Sequence, residues 1–159
     1  MIYEGGLRVA AALCKEFEGC SLTPYLCPTG HWTIGYGCTI DAHGDKVTGA
    51  TPPLKSEAEA EALMMAVLRP VAMLVDKMLD RKVKLSDNEA GALYSLAFNI
   101  GTGNLRTSTL MRLLNTGEAR TDVANQFLVW NKGRVNGALV TLPGLVRRRQ
   151  AERAKFLTK

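Results

Sequence analysis

Three side chains near the N-terminus could take part in acid, base or nucleophilic chemistry: the carboxyl of Glu18, the thiol of Cys27 and the hydroxyl of Thr33. Eight residues separate Glu18 from Cys27, and five separate Cys27 from Thr33. A carboxyl can donate a proton, a thiolate can attack or accept one, and a hydroxyl can hold a water molecule. Taken singly, each is better explained as a helix-end Glu, a buried Cys or a strand Thr. Together they indicate a catalytic site if the fold lets them converge.

Glu18 lies at the predicted end of a helix. Apolar residues recur every three or four positions from Leu7 to Phe17, which predicts a helix over about 7–18, and Gly19 is typical of the position just beyond a helix. The negative pole of the helix dipole disfavours an ionised carboxylate here, so it favours the protonated form that a general acid requires. The same periodicity makes Cys14 a core residue rather than a reactive thiol.

Cys27 and Thr33 flank a predicted turn. Pro28-Thr29-Gly30 is turn chemistry between two short runs of strand character, Tyr25-Leu26-Cys27 and Trp32-Thr33-Ile34. This pattern predicts a β-hairpin that projects both side chains near Glu18.

The stretch 39–53 is rich in Gly, Asp, Thr and Pro, with Val47-Thr48 as its one plausible strand. Asp41 and Asp45 in this stretch could supply a second carboxylate. The competing explanation is that both are turn residues, whose side chains bond the local backbone.

The rest of the chain is predicted to be helical. Capping boxes at Ser56–Glu59 and Ser86–Glu89 begin helices over about 56–80 and 86–101, and Pro70 should kink the first. Further helices are predicted at about 107–114, 121–131 and 144–157. The sheet is therefore expected only within residues 22–50, with no strand in residues 86–157.

The composition is that of an ordinary globular protein, with a net charge of +5. Residues 121–159 carry eight Lys and Arg against two Asp and Glu, so this end could meet nucleic acid or the acidic bacterial cell wall, or be a solvated helix face. The apolar run Leu7–Cys14 is too short for a secretory signal, and no apolar run is long enough to span a membrane. We therefore expect the protein to be made in the cytoplasm and to stay soluble there.

Cysteine usage leaves the redox compartment open. The four cysteines, at 14, 20, 27 and 38, form no Cys-x-x-Cys motif and have only two histidines as companions, so we expect neither zinc nor another metal or cofactor. Three fully paired connectivities and free thiols all remain open. A Cys27–Cys38 disulfide that silences the site is one of these possibilities.

The spacing of Glu18, Cys27 and Thr33, followed by Ile34-Gly35-Tyr36-Gly37, resembles the motif of the phage-type lysozymes, glycoside hydrolase family 24. Two further elements of that family match in order: Phe98-Asn99-Ile100-Gly101, and a Gly-Leu-x-x-Arg-Arg-x-x-Glu run that begins at Gly144. The resemblance covers essentially the whole chain. Cys27 stands where Asp is commoner, and Cys38 where His is frequent.

The resemblance implies a lysozyme-like α+β fold over residues 1–159, with an N-terminal lobe at about 1–55, a connecting helix at 56–80, a helical lobe at 81–159 and a cleft between the lobes. It implies a monomeric muramidase that cleaves the β-1,4 bond between N-acetylmuramic acid and N-acetylglucosamine in peptidoglycan strands. It would bind no nucleic acid, and it would act on the wall in the periplasm after release from the host cytoplasm. The implied catalytic residues are Glu18 as general acid, Cys27 and Thr33; the implied substrate-binding residues are Tyr36, Phe98 and Asn99.

Of the three adjacent arginines at 147–149, Arg148 is expected to turn inward and support Glu18 or a nearby carboxylate. Two roles remain open for Cys27: a thiolate that attacks or activates water, or a small side chain that leaves room for a water held by Thr33. Two alternatives to a muramidase also remain: a lytic transglycosylase, which needs one carboxyl and no activated water, and a non-catalytic wall-binding module.

Overall fold

Helix α1 (Glu4–Glu18) lies unusually close to α3 (Asp87–Ile100) in the computed structural model, which describes residues 2–159. Glycines permit this approach. A Cβ atom on Gly6 would lie 2.8 Å from the Cβ of Ala90, and one on Gly91 would overlap Val9. The packing of α1 against α3 fixes the position of the C-terminal end of α1, and therefore the position of Glu18. The predicted end of this helix is confirmed, although the helix begins three residues earlier than predicted.

The first hairpin follows directly. Strand β1 (Ser21–Leu26) pairs antiparallel with β2 (Trp32–Gly35), and Tyr25 lies opposite Thr33. The turn is closed by the Gly30 amide, which donates to the Cys27 carbonyl at 2.9 Å. The predicted hairpin and its turn are confirmed.

The predicted third strand at Val47-Thr48 does not form. Residues 39–47 make a tight reverse turn held by a single bridge between Ile40 and Lys46 and by the Val47 amide, which donates to the Thr39 carbonyl at 2.9 Å. Val47 itself is buried and anchors the turn to the core.

The two predicted capping boxes begin helices α2 (Glu57–Met78) and α3. The Ser56 hydroxyl accepts from the Glu59 amide, and at α3 the reciprocal pair of bonds between Ser86 and Glu89 is complete. Pro70 lies inside α2, which extends on both sides of it. Helix α2 contacts β2 at one side and α3 at another, so it links the hairpin to the helices that follow.

Four further helices form the C-terminal half and surround a common apolar core. They are α4 (Thr102–Arg106), which was not predicted, α5 (Thr109–Thr116), α6 (Arg120–Asn125) with a 3₁₀ turn at Gln126–Val129, and α7 (Pro143–Leu157). The last of these packs on α3, and its Phe156 ring meets the Phe127 ring at a centroid distance of 5.4 Å. None of the helices within residues 2–159 has the length and apolar character needed to cross a bilayer.

A second hairpin, β3 (Lys132–Val135) and β4 (Ala138–Thr141), lies in the region predicted to be free of strands. The prediction of a sheet confined to residues 22–50 is therefore wrong. Asn136 and Gly137 both have positive φ, 51° and 80°, as a two-residue hairpin turn requires. The sequence interpretation took this dipeptide only as a break between helices. The predicted class, mostly helical α+β, is confirmed.

Candidate active site

A cleft of about 770 Å³ opens between the first hairpin, the turn at residues 39–47 and the junction of α3 with α4. Five of the predicted site residues line it: Glu18, Cys27, Thr33, Phe98 and Asn99. Val67 of α2 also lines the cleft, and the other lining residues belong to or adjoin the same segments: Tyr25, Thr29, His31, Gly37, Cys38, Thr39, Ile40, Gly44, Lys46, Ile100 and Gly101. The cleft brings together the carboxyl, thiol and hydroxyl that the sequence singles out.

Glu18 enters the cleft from the last turn of α1. Gly19, just beyond it, has a φ of 62°, which turns the chain sharply into β1. Gly37 faces the carboxyl from the other side, and a Cβ atom there would overlap the Cδ and Oε2 atoms of Glu18. The Glu18 side chain is 18% exposed, so its carboxyl is held on two sides and open to the cleft on another.

The buried guanidinium of Arg148 forms an ion pair with the Glu18 carboxyl. Its Nη1 donates to Oε1 of Glu18, and its Nε donates to Oε1 of Glu152 at 3.1 Å. Its Nη2 lies 3.3 Å from the Ser95 carbonyl oxygen and 3.5 Å from the Cys14 sulfur. The guanidinium is almost completely buried. The predicted inward orientation of Arg148 is confirmed.

A second buried arginine completes the network. Glu152, which has no exposed surface, also accepts from Nη2 of Arg149 at 3.2 Å and from the Ser95 hydroxyl at 2.7 Å. Arg149 in turn donates to the Trp130 carbonyl oxygen at 3.4 Å. Burial lowers the pKa of Arg149 to about 10. Burial also opposes the charge of Arg148, but the carboxylates of Glu18 and Glu152 outweigh it, and the pKa of Arg148 rises.

The Cys27 sulfur lies within hydrogen-bond distance of two donor groups at the turn of the first hairpin. It lies 3.1 Å from the Thr29 hydroxyl and accepts from the His31 amide at 3.4 Å. Partial burial raises the pKa of the Cys27 thiol, but hydrogen bonds from the Thr29 side chain and from the His31 and Thr29 backbone outweigh burial and leave this pKa below its ordinary value. At a given pH, a larger fraction of Cys27 is therefore thiolate than in a free cysteine.

The Thr33 hydroxyl is nearly buried beside Cys27 and donates to the His31 carbonyl oxygen at 3.1 Å. With its proton engaged there, its oxygen is left to accept a hydrogen bond. A water molecule held at this point would therefore donate a hydrogen bond to the Thr33 oxygen.

Tyr36 does not reach the cleft, which corrects the expectation that it lies at the substrate. Its side chain is buried on the far side of the hairpin, and the Lys15 ammonium lies 5.6 Å from its ring centroid. Asp41 and Asp45 also lie outside the cleft lining. The Asp41 carboxylate accepts from the His43 and Asp45 amides at 2.8 and 3.0 Å, so it is a turn residue.

Two buried thiols adjoin the ion pair and carry no catalytic signal in the sequence. Cys38 lines the cleft and Cys14 contacts Arg148; burial raises the pKa of Cys14 to about 11 and that of Cys38 to about 12. All four cysteines, at 14, 20, 27 and 38, are free thiols. The Cys27–Cys38 disulfide considered from the sequence is therefore absent.

Other groups at the site were also missed. The Thr29 hydroxyl and the His31 backbone amide contact the thiol, and the Ser95 hydroxyl donates to the buried Glu152 carboxylate. Turn composition gives a signal for the first two, but Ser95 is an unremarkable helix residue in the sequence. Among residues 2–159, no group of three or more His, Cys, Asp and Glu side chains is placed to share a metal ion.

Comparison with known proteins identifies relatives along nearly the whole chain. The family described as phage lysozyme matches residues 15–152. The endolysin of Acyrthosiphon pisum secondary endosymbiont phage 1 is 39% identical over 145 residues, which are 91% of this chain and 92% of that protein.

Solved structures agree. The endolysin from Escherichia coli O157:H7 phage FAHEc1 superposes with a TM-score of 0.81 at 30% identity, over 99% of this chain and 93% of that one. The muramidase domain of SpmX from Asticaccaulis excentricus superposes with a TM-score of 0.78, also at 30% identity, over 100% and 99% of the two chains.

Proposed function

The chain belongs to the phage lysozyme family, and we propose that it is a muramidase in which Glu18 is the general acid. It hydrolyses the β-1,4 bond between N-acetylmuramic acid and N-acetylglucosamine in peptidoglycan. The observation that carries the assignment of Glu18 is that, in the described residues 2–159, it supplies the only carboxyl group in the cleft lining.

Glycosidic cleavage requires a proton on the leaving oxygen. The Glu18 carboxyl is open to the cleft on one side and can supply it. Once the proton has left, the carboxylate is next to the Arg148 guanidinium, which stabilises the negative charge that has formed. Because Arg148 is itself held by Glu152 and Ser95, it needs no reorganisation during the reaction.

We infer that Cys27 and Thr33 hold the attacking water. The lowered pKa of the Cys27 thiol supports a thiolate that takes one proton from this water, while the Thr33 oxygen accepts a hydrogen bond from the O–H that the water keeps. The hydroxide equivalent then attacks the sugar carbon as its bond to the leaving oxygen breaks. Phe98 and Asn99, on the opposite wall of the cleft, are the proposed substrate contacts.

The presence of a single carboxyl group in the cleft lining, within residues 2–159, favours a lytic transglycosylase as the second candidate. That reaction needs a single acid/base carboxyl, because the muramic acid's own hydroxyl attacks in place of water. Mass spectrometry of digested peptidoglycan separates the two functions: hydrolysis gives reducing muramic ends, transglycosylation gives anhydro ends, and a module that only binds gives neither.

The test of Glu18 is the variant Glu18→Gln, which keeps the shape of the side chain but cannot donate the proton. We expect the folded variant to bind cell walls and to lose at least about 100-fold in activity. Glu16→Gln, an exposed position on the same helix, is the matched control and should keep full activity. A loss of less than about tenfold at Glu18, which is about 1.4 kcal/mol in the barrier, would reject it as the acid.

We also infer that the protein works as a monomer on the wall in the periplasm, after release from the host cytoplasm, rather than on nucleic acid. Two of the basic residues near the C-terminus, Arg148 and Arg149, are buried in ion pairs and are therefore not available to a polyanion. Size-exclusion chromatography with light scattering tests the monomer, and retention on nucleic acid at physiological salt would contradict the preference for the wall.

A further inference from the structure

The turn at residues 39–47 forms one wall of the cleft, and none of its side chains is needed for the proposed chemistry. Four of its residues line the cleft: Thr39, Ile40, Gly44 and Lys46. Ile40 and Lys46 lie directly opposite each other in the single bridge that closes the turn. An apolar side chain and an ammonium group therefore stand side by side on the same wall.

This wall is rigid without help from a ligand. The Asp41 amide donates to the Asp45 carbonyl at 2.8 Å, and the Asp41 carboxylate accepts from two amides of the turn. Gly44 has a φ of 82°, which suits a glycine at the tip, and the buried Val47 fixes the base. A preorganised surface loses little entropy on binding, so its contacts appear almost fully in the affinity.

The charge on this wall is unpaired. Within the described residues 2–159, the Lys46 ammonium makes no ion pair, and no other Lys or Arg lines the cleft. The one carboxylate in the cleft, Glu18, is already paired with Arg148. Ile40 is 43% exposed, which leaves a large apolar side chain available beside the cation.

We propose that Ile40 and Lys46 form a subsite for the acidic peptide stem that peptidoglycan carries on its muramic acid residues. The stem offers methyl groups next to carboxylates, which matches an apolar contact beside an ammonium group. On a stem-bearing strand the lactyl carboxyl of muramic acid is amide-linked to the stem, so the carboxylates lie in the stem and not on the sugars. The subsite therefore distinguishes stem-bearing strands from sugar chains that carry no peptide. This inference rests on the proposed function and names the part of the substrate that the 39–47 turn recognises.

The test measures binding rather than turnover, in the Glu18→Gln background, so that it does not depend on catalysis. Lys46→Met removes the charge and keeps most of the side chain length. Lys82→Met is the matched control, because Lys82 is also exposed and lies outside the cleft lining. Its replacement lowers the net charge of +5 by the same one unit. Any effect of overall charge on association is therefore the same in both variants.

Three ligands are compared at physiological salt: stem-bearing glycan strands, the same strands with their carboxyl groups converted to methylamides, and strands from which an amidase has removed the stems. We expect Lys46→Met to weaken binding to stem-bearing strands by roughly two- to fivefold, an effect typical of one exposed ion pair. On the methylamide strands, parent and variant should bind equally. Equal binding on the amidase-treated strands would assign the contact to the stem.

Four results would overturn the proposal. They are an unchanged affinity of Lys46→Met for stem-bearing strands, an equal loss on the methylamide strands, an equal loss in Lys82→Met, and an equal loss on the amidase-treated strands, which would assign the contact to the lactyl carboxylate. An Ile40→Ser variant gives a second measure: it should weaken binding to stem-bearing strands without changing the salt dependence, because it removes no charge. Failure of the muramidase proposal is seen separately, as the absence of reducing muramic ends from the parent protein.

Discussion

Replacing Arg148 with Met would test whether the buried ion network supports the fold as well as the site. Methionine has a similar length and no charge. The change removes the donor that reaches Glu18 and Glu152, and it leaves the Ser95 carbonyl oxygen without the donor at 3.3 Å. We expect the variant to fold with clearly reduced stability and with nearly complete loss of wall lysis.

The magnitude follows from burial. Removing one partner of a buried ion pair costs about 3–5 kcal/mol, because the remaining charge is left without compensation. The Glu152 side chain is 0% exposed, whereas the Glu18 side chain is 18% exposed and can turn toward water. Glu152 keeps its ion pair with Arg149 and the bond from the Ser95 hydroxyl, so the loss should lie near the lower end of this range, and most of it should come from the bond that this buried carboxylate loses. Against a total stability of about 5–15 kcal/mol for a typical domain, this is a large fraction.

Urea denaturation followed by circular dichroism measures the change. With a slope of about 1–3 kcal/mol per molar urea, the midpoint should fall by at least about 1 M at an unchanged slope. Arg147→Met is the matched control, since the neighbouring side chain is exposed, and it should stay within about 0.5 kcal/mol of the parent.

A double variant separates the two carboxylates. If Glu152 carries most of the cost, Arg148→Met should destabilise the Glu18→Gln protein almost as much as the parent, with a coupling of about 1 kcal/mol or less. A loss below about 1 kcal/mol for Arg148→Met would refute the reasoning, because it would mean that Arg149 alone compensates the buried Glu152 carboxylate. A coupling equal to the whole loss would instead place the cost at Glu18.

Three further variants test the surroundings of the site. Gly37→Ala should reduce wall lysis at least tenfold, because its Cβ atom would displace the Glu18 carboxyl. The control Gly117→Ala, with a similar φ of 83° and no neighbour within 4 Å, should reduce only stability, and equal lysis by both variants would contradict this. Cys27→Asp should be active and Cys27→Ala impaired in lysis assays with reductant, and an Ala variant as fast as the parent would remove this thiol from the mechanism. Burial raises the pKa of Cys38 from its ordinary 9.0 to about 12, so the unfolded chain loses this proton first and stability falls as pH rises above 9. Cys38→Ala should therefore flatten the decline of the urea midpoint between pH 9 and 12, and parallel declines in variant and parent would contradict this assignment.

Much of the site could be predicted because its elements are local. The end of α1 at Glu18 follows from apolar periodicity and a glycine, and the first hairpin follows from the turn at Pro28–Gly30. Both depend on interactions between residues a few positions apart, which a sequence displays directly. The Arg148 contact spans 130 positions, and it was predicted only because the chain resembles a family whose motif has an arginine there.

Orientation relative to the cleft was decided by the tertiary structure. Tyr36 lies three positions after Thr33, so strand alternation places it on the opposite face, and only the packing of the hairpin shows that this face is buried away from the cleft. Nothing in the residue types reveals that Cys14, a regular core position on α1, lies against the guanidinium of Arg148 from α7. Likewise, composition marks residues 39–47 as a turn but does not say what Lys46 faces.

The sequence by itself therefore determined the helix ends, the first turn and the order of the catalytic residues, because backbone preferences and capping act within a few residues. The second hairpin lay within its reach, since Asn136-Gly137 is a strong local signal. Only the packing of α1, α3 and α7 decided which charges are buried together and which side chains line the cleft. Those outcomes depend on the positions of whole elements, and these are set by close contacts between residues far apart in the chain.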